Sequence, residues 1–193
     1  MNNRNPHMSN DIGYLGVILG PMFSGKTSRL ISIFKHNQIA EIPTLVVNWY
    51  EDERYTTSGL STHDGIIIPC TKLRHLKDIY KYFKLEKEEP KVILINEGQF
   101  FNDLYSVVKD LLFNHNKIIY VCGLDGDYKM EKFGQILDII PLANSVTKLS
   151  AICKNCKVEA HFTKRISKEL SQKKIGGSDS YIPVCRKCYN KSI

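Results

Sequence analysis

The sequence predicts an α/β fold in which a parallel sheet is followed by a small, cysteine-rich C-terminal domain. Short apolar runs alternate with amphipathic stretches through the first 150 residues, and a glycine-rich turn follows the first run. Four of the six cysteines lie after residue 150. Apolar strands separated by helices are typical of a parallel sheet that is covered on both faces. A chain of 193 residues is long enough for one such core with a small appendage.

The individual elements follow from the spacing of the apolar residues. The predicted strands span residues 14–19, 43–49, 91–95 and 117–122, with further possible strands at 66–68 and 146–152. The predicted helices span residues 26–39, 73–83 and 104–113. The chain is thereby divided into a flexible N-terminus (1–13), an α/β domain (14–150) and the C-terminal domain (151–193).

Composition and hydropathy argue against a disordered, a membrane-spanning or a secreted protein. Hydrophobic residues make up 42% and charged residues 24%, as in ordinary globular proteins. No run reaches the roughly 18 apolar residues of a membrane helix, and the N-terminus lacks the apolar segment of a signal peptide, so we expect a cytoplasmic protein without a membrane partner. The net charge of +7 lies in the C-terminal domain, which has 10 basic and 3 acidic residues against 17 and 17 before it. Four thiolates binding one zinc ion would lower the net charge to about +5.

The glycine-rich turn is a P-loop. Residues 20–27 fit G-x-x-x-x-G-K-[ST] and lie between a predicted strand and a predicted helix. In this motif backbone N–H groups close around phosphate oxygens, Lys26 reaches the outer phosphates, and Thr27 offers its hydroxyl to Mg²⁺. The predicted nucleoside triphosphate site comprises Gly20, Pro21, Met22, Phe23, Ser24, Gly25, Lys26 and Thr27. P-loops serve kinases, ATPases and motor proteins alike, so the motif leaves the phosphate acceptor open.

A carboxylate follows the predicted strand at 91–95, at the end where open α/β sheets place their ligands. The usual magnesium-holding Asp of this strand is here Asn96, and Glu97 beside it can take a proton from an attacking hydroxyl. Restoring the charge with Asn96→Asp is therefore expected to lower the Mg²⁺ requirement. Phe100 and Phe101 should point to opposite sides, one into the core and one toward a ring-shaped ligand.

Two C-x-x-C pairs predict a zinc site in the C-terminal domain. They are separated by 28 residues and consist of Cys153 with Cys156 and Cys185 with Cys188. Without a secretory signal, such pairs favour tetrahedral Zn²⁺ over disulfides, and four protein ligands indicate a structural metal. The segment between the pairs is polar and contains glycines, so the zinc-ribbon-like domain is predicted to carry a mobile lid loop.

The order and spacing of nine motifs resemble the type II thymidine kinase family, which includes cellular cytosolic and poxvirus enzymes. The motifs are GPMFSGKT (20–27), DERY (52–55), THDG (62–65), EGQFF (97–101), GLDGDY (123–128), FGQIL (133–137), PLANSVTKLSAIC (141–153), FTKR (162–165) and IGGSDSYIPVCRKCY (175–189). The resemblance covers nearly everything from residue 14 to residue 189.

The resemblance implies transfer of the γ-phosphoryl group of ATP to the 5′-hydroxyl of thymidine or deoxyuridine. It implies that Glu97 is the general base and that Arg54 steadies the hydroxyl and the transferring charge, with Lys26 as the third catalytic residue. Beyond the P-loop, the ATP-binding residues implied in this way are Asp52, Asn96 and Gln99.

The resemblance also implies a nucleoside pocket whose pyrimidine edge is bound by the backbone of residues 175–177, where glycines allow close approach. The implied pocket residues are Met22, Asp52, Phe100, Leu124, Tyr128, Phe133, Thr163, Ile175, Gly176 and Tyr181. Family members usually form homotetramers that thymidine triphosphate inhibits, and no nucleic-acid partner is implied.

Two other functions remain open. A P-loop ATPase or nucleic-acid-binding module would use the basic C-terminal residues to hold phosphate backbone, and its DNA binding would fall steeply with salt. Asn96 would alternatively mark a pseudoenzyme, which would bind thymidine without forming product.

Overall fold

The computed structural model describes residues 12–52, 59–61, 65–85, 88–167, 171–172 and 176–190. The predicted flexible N-terminus lies outside the described residues except for its last two positions. Most of the DERY and THDG motifs also lies outside the described residues, as do residues 168–170 and 173–175 of the predicted lid.

The helices and strands agree with the predicted alternation over the first 150 residues. The strands are β1 (Tyr14–Leu19), β2 (Thr44–Trp49), β3 (Leu60–Ser61), β4 (Ile67–Ile68), β5 (Thr71–Leu73), β6 (Val92–Ile95), β7 (Ile118–Gly123), β8 (Ser145–Lys148), β9 (Ala151–Ile152), β10 (Glu159–Ala160), β11 (Phe162–Arg165) and β12 (Tyr181–Val184). The α-helices are α1 (Lys26–Ile39), α2 (Tyr82–Leu85), α3 (Leu104–Phe113) and α4 (Arg186–Tyr189). Shorter 3₁₀ turns occupy Leu76–Lys81, Gly98–Phe100 and Ile140–Leu142.

Six strands form one parallel sheet in the order β5-β2-β6-β7-β1-β8. This sheet confirms the predicted α/β fold. Because all six strands run the same way, the residues that follow β1, β2, β6 and β7 meet at one edge of the sheet, where open α/β folds bind ligands.

The core lies on both faces of this sheet, since successive strand residues point to opposite sides. On one face Ile93 and Val121 pack with Leu111 of α3, and on the other Leu94 and Ile18 pack with Leu30 of α1. At roughly 25 cal/mol per Å² of apolar surface, burial of these side chains is the main favourable contribution to folding.

The predicted helix at 73–83 begins later than expected and is mainly a 3₁₀ helix, which continues into α2. Leu73 ends β5, and Leu76–Lys81 forms a 3₁₀ helix. The carboxylate of Asp103 accepts hydrogen bonds from the backbone N–H groups of Leu76 and Lys77 at 3.0 and 2.9 Å. These contacts with a residue 26 and 27 positions away set the start of the turn, and helical periodicity alone does not reveal them.

The possible strand at 146–152 divides into two strands that belong to different sheets. Strand β8 is the edge of the parallel sheet, whereas β9 pairs antiparallel with β10. A second antiparallel pair, β11 with β12, completes the C-terminal region around a small buried cluster that includes Ala160 and Val184. Among the described residues no helix has both the length and the apolar character needed to cross a bilayer.

Candidate active site

The phosphate-binding loop connects β1 to α1, as predicted. Gly20 follows β1 with a φ of +149°, and a Cβ atom there would lie 2.6 Å from the carbonyl oxygen of Leu149. Gly25 precedes α1 with a φ of +82°, in the left-handed region that favours glycine. Glycines at both ends thus let the chain turn sharply into a helix whose N-terminus attracts anions.

Three polar side chains of the loop line a cavity beside it. Its volume is about 680 Å³, within the range of roughly 300–1,000 Å³ that is typical of ligand sites. The Lys26 ammonium is buried and donates to the Pro21 carbonyl oxygen at 2.7 Å. The Ser24 hydroxyl is buried without a hydrogen-bond partner among the described residues. A buried hydroxyl of this kind suits a phosphate oxygen. We call this space the phosphate cavity.

A chain of buried hydrogen bonds joins the loop to the ends of β6 and β2. Thr27 Oγ1 donates to Asn96 Oδ1 at 3.3 Å, and Asn96 Nδ2 donates to Asn48 Oδ1 at 2.9 Å. Asn48 Nδ2 in turn donates to Asp52 Oδ2 at 3.2 Å. Asn48 was not among the residues predicted from the sequence, although a polar residue near the end of an apolar strand was a detectable signal.

The side-chain oxygen atoms in this series of hydrogen bonds are suitable ligands for a magnesium ion. Mg²⁺ prefers hard oxygen ligands and is usually bound by one or two protein groups together with substrate phosphates and water. The Thr27 hydroxyl and the side-chain oxygen Oδ1 of Asn96 are such ligands, and the carboxylates of Asp52 and Glu97 line the same cavity. Because Asn96 is neutral, it adds no negative charge at the ion.

Glu97 lies at a sharp bend directly after β6. Its φ and ψ are 54° and 43°, a left-handed conformation that is uncommon for a residue with a side chain and is often found at functional sites. Gln99 Nε2 donates to Glu97 Oε2 at 2.6 Å, and Gln99 Oε1 accepts from the backbone N–H of Leu124 at 3.0 Å. Gln99, which was expected to bind ATP, is fully buried behind Glu97 and positions that carboxylate.

A second cavity, which we call the aromatic cavity, adjoins the phosphate cavity and has an empty volume of about 460 Å³. Phe100 lines it, with its ring perpendicular to that of Phe133 at 5.3 Å and stacked near that of Trp49 at 5.8 Å. Phe101 is fully buried and does not line the cavity, although both phenylalanines belong to the same core cluster and contact Trp49. That Phe100 faces a ring-shaped ligand stays a prediction. The residues that line both cavities are Met22, Asp52, Glu97 and Leu124.

Most of the predicted site residues are brought together at these cavities. The predicted ATP-binding residues that line the phosphate cavity are Met22, Phe23, Ser24, Gly25, Lys26, Thr27, Asp52 and Asn96. Gly20 and Pro21 are buried and do not line it. The predicted nucleoside residues that line the aromatic cavity are Met22, Asp52, Phe100, Leu124, Tyr128, Phe133, Thr163, Gly176 and Tyr181. Arg54 and Ile175 lie outside the described residues. Four residues that were not predicted from the sequence also line the aromatic cavity: Gly126, Asp127, Arg165 and Gln172.

Arg165 closes one side of the aromatic cavity. Its guanidinium lies 3.8 Å from the ring centre of Tyr128 and 5.1 Å from that of Tyr181. It donates to the Tyr181 hydroxyl and to the Ser171 carbonyl oxygen, both at 2.6 Å. A planar guanidinium can stack and donate at the same time, so Arg165 links β11 and β12 to Ser171 in the segment between them. Its presence in the FTKR motif was the only sequence signal.

Further hydrogen bonds attach the C-terminal region to the α/β domain, and two of them lie at the cavities. The backbone N–H of Met22 donates to Thr163 Oγ1 at 3.0 Å, which connects the phosphate loop with β11. Gln172 Nε2 donates to Asp127 Oδ2 at 2.7 Å. The aromatic cavity is therefore formed jointly by residues next to the sheet and residues of the C-terminal region.

The four predicted zinc ligands lie together. The Sγ atoms of Cys153, Cys156, Cys185 and Cys188 are all within 4.8 Å of one another. The Cys156 sulfur is 3.6 Å from that of Cys185 and 3.5 Å from that of Cys188. Tetrahedral zinc with bonds of about 2.3 Å requires sulfur atoms about 3.8 Å apart, so the cluster is the right size for one ion.

The thiol pKa values in this cluster diverge. Burial opposes ionisation of Cys153, but backbone hydrogen bonds from Cys156, Cys185 and Asn155 outweigh it and lower its pKa to about 6. The pKa of Cys188 is raised to about 12, first because its thiol donates to Cys156 and second because it is desolvated. Four crowded sulfur atoms cannot all ionise unless a cation neutralises them, and a divalent metal would do so.

Comparison with known proteins agrees with this geometry. The sequence model of the thymidine kinase family matches residues 13–189. The chain belongs to this family. It is 41% identical to the cytosolic thymidine kinase of Gallus gallus over 177 residues, which are 92% of this chain and 77% of the relative.

Viral and plant relatives are equally similar. Identity to the thymidine kinase of Myxoma virus (strain Uriarra) is 42% over 92% of this chain and 96% of the relative. Identity to thymidine kinase a of Arabidopsis thaliana is 43% over 92% of this chain and 75% of the relative. The family resemblance inferred from the motifs is confirmed.

Proposed function

We propose that this chain is a thymidine kinase that transfers the γ-phosphoryl group of ATP to the 5′-hydroxyl of thymidine, and also of deoxyuridine, for the salvage of thymidylate. The observation that carries this proposal is the position of Glu97 in the wall of both cavities. A carboxylate there faces a nucleoside in the aromatic cavity and phosphates in the phosphate cavity. General base catalysis requires that placement.

The residues of the phosphate cavity hold and orient the donor. The Lys26 ammonium leaves the Pro21 carbonyl oxygen and contacts the outer phosphates, while the Ser24 hydroxyl donates to a phosphate oxygen. Thr27 and Asn96 would hold Mg²⁺, which when bound neutralises phosphate charge. Positioning and charge stabilisation account for most of the catalysis of phosphoryl transfer.

The residues of the aromatic cavity hold the acceptor. Phe100, Phe133 and Tyr181 provide a slot of aromatic rings for a pyrimidine, and Glu97 accepts the proton of the 5′-hydroxyl as that oxygen attacks. Arg54 is proposed to steady the transferring charge on family resemblance alone. Residues 175–177 are proposed to bind the base edge through their backbone on the same grounds.

The C-terminal residues 151–193 are proposed to form a zinc-bound domain with a lid over the aromatic cavity, next to a kinase domain at 14–150. The spacing of the four cysteines and the hydrogen bonds made by Arg165 support this division. A cytoplasmic homotetramer without a nucleic-acid partner is proposed from the family. Inhibition by thymidine triphosphate is proposed as well, because adjoining cavities would hold its base and its phosphates at once.

A coupled assay with ATP and Mg²⁺ tests the function. We expect product with thymidine and deoxyuridine and little with deoxyadenosine, deoxyguanosine or deoxycytidine. Thymidine binding without product at any Mg²⁺ concentration would instead indicate a pseudoenzyme. Failure to bind thymidine, together with salt-sensitive binding of DNA, would favour the nucleic-acid-binding alternative.

A further inference from the structure

The buried amide of Asn48 has a defined orientation. Its Oδ1 accepts a hydrogen bond from the backbone N–H of Trp49 at 3.0 Å. A backbone N–H can only donate, so the oxygen and not the nitrogen of the amide must face it. The Nδ2 group then points to Asp52 Oδ2, which is an acceptor. Asn48 is only 1% exposed, so water cannot replace these partners at low cost.

The orientation of Asn48 determines that of Asn96. Because the Asn48 oxygen is 2.9 Å from the Asn96 side chain, Asn96 must present its Nδ2 group there. Its Oδ1 then faces the opposite way, where it accepts from Thr27 Oγ1 at 3.3 Å and from Cys122 Sγ at 3.0 Å. The Asn96 oxygen is thereby directed at the Thr27 hydroxyl, the other oxygen assigned to magnesium.

We propose that Asn48 is a positioning residue of the magnesium site and that Asn48 and Asn96 function as a matched pair of amides. The proposal rests on the kinase function proposed above. Asn48 does not contact the ion. It holds Asn96 in the one amide orientation that offers an oxygen, rather than two N–H donors, to a cation.

The matched pair changes what is expected of a carboxylate at position 96. An ionised Asp at position 96 could not donate a hydrogen bond to Asn48. One of its carboxylate oxygens would face the Asn48 amide oxygen at about 2.9 Å. Because the site is shielded from water, this repulsion would raise the free energy of the ionised carboxylate. Asn48 cannot simply turn its amide over, because the Trp49 N–H would then face N–H groups. Asn96→Asp alone should therefore impair the enzyme, which reverses the expectation from the sequence.

The first experiment is a double-mutant cycle in buffer without Mg²⁺ and without a chelator, so that the cysteine cluster keeps its metal, and it does not depend on kinase activity. It compares the melting temperatures of the parent, Asn48→Leu, Asn96→Asp and the double variant. We expect Asn96→Asp to lower the melting temperature by several degrees in the parent and by less than half as much in the Asn48→Leu background. Additive effects of the two substitutions would overturn the pairing.

The second experiment measures the Mg²⁺ concentration for half-maximal activity at saturating ATP and thymidine. Asn48→Leu should raise this concentration on the order of fivefold, the value of one hydrogen bond of about 1 kcal/mol. Asn48→Ser, which is too short to reach Asn96, should do the same if the leucine variant folds poorly. Unchanged Mg²⁺ dependence in the folded variant would show that Asn48 is only structural.

Asn37→Leu is the matched control. Asn37 is also a buried asparagine, 3% exposed, and its Nδ2 donates to Thr44 Oγ1 at 3.1 Å near the far end of α1. This substitution should lower the melting temperature without changing the Mg²⁺ dependence. An equal shift in the control and in Asn48→Leu would contradict the proposal.

Discussion

At the scale of single residues, the position of Glu97 depends on its backbone as much as on its side chain. The left-handed bend after β6 turns the chain toward both cavities, and Gln99 holds the carboxylate through a bond of 2.6 Å. A non-glycine residue in this conformation costs on the order of 1 kcal/mol, and buried neighbours must sustain it. The strain is therefore located at the residue that we propose as general base.

Glu97→Gln should retain thymidine binding and lose most turnover. The amide preserves the shape and can still accept from Gln99, but it cannot take a proton from the 5′-hydroxyl. The expected loss in kcat is about 10²–10⁴-fold, the usual contribution of general base catalysis. Calorimetry should give a thymidine Kd within about threefold of the parent.

Glu41→Gln is a suitable control because Glu41 is exposed and also has a positive φ, 53°. Its kcat should equal that of the parent. Near-parental kcat in Glu97→Gln at saturating Mg²⁺ and ATP would exclude Glu97 as the base.

At the scale of elements, the short strands after residue 150 have little apolar surface with which to stay folded. Their buried cluster consists of small side chains and two of the four clustered cysteines. Metal binding is the usual compensation in a unit of this size. Strand β11 also contributes Thr163 and Arg165 to the aromatic cavity, so loss of the metal should affect substrate binding.

Removal of zinc should destabilise the C-terminal region and weaken thymidine binding together. We expect one zinc per chain by elemental analysis, and Cys185→Ser or prolonged chelation should lower the melting temperature and raise the thymidine KM. Cys70→Ser is the control because Cys70 is outside the cluster. Fully active protein with well under one zinc per chain would refute a structural metal.

Arg165→Lys should weaken thymidine binding more than it slows turnover. The ammonium can replace the charge but not the stacking between two tyrosine rings or the forked hydrogen bonds, and charge-assisted bonds contribute about 1.5–3 kcal/mol each. The thymidine KM should rise at least tenfold while kcat changes by less than about threefold.

Arg186→Lys provides the comparison for Arg165. Arg186 also lies over an aromatic ring, that of Phe162 at 4.6 Å, but it is exposed and does not line the aromatic cavity. Its steady-state constants should remain parental. If the two variants had the same KM, Arg165 would have no specific role in the site.

At the scale of the whole molecule, the parallel sheet supports both cavities. The free energy of unfolding of the protein should depend on pH in the alkaline range. Burial, together with the neighbouring Tyr14 hydroxyl, raises the pKa of Tyr120 in β7 from 10.0 to about 12. A group whose pKa is raised on folding stabilises the fold fully below its unfolded pKa and loses that effect as the pH rises through its folded pKa. Stability should therefore decline between about pH 10 and pH 12.

Tyr120→Phe should make this decline shallower, since the phenylalanine has no proton to lose. The measurement is the free energy of unfolding in urea at several pH values from 8 to about 11.5. Tyr105→Phe, at an exposed position on α3, should leave the slope unchanged. An identical slope in Tyr120→Phe and the parent would mean that other groups account for the alkaline loss.

The sequence by itself determined the α/β fold, the phosphate loop, the four clustered cysteines and the family, because each depends on local periodicity or on residue types at short, fixed spacing. Most residues of the two cavities followed from the family motifs. These features are recorded along the chain and do not require knowledge of which distant segments meet.

Only the tertiary structure decided the features that depend on contacts between distant residues. The 3₁₀ turn at Leu76–Lys81 depends on Asp103, the closure of the aromatic cavity depends on Arg165, and the orientation of Asn96 depends on Asn48 in another strand. Hydrogen bonds of this kind are directional and buried, so a single distant partner determines which atom of a side chain faces the site. Periodicity carries no information about that partner.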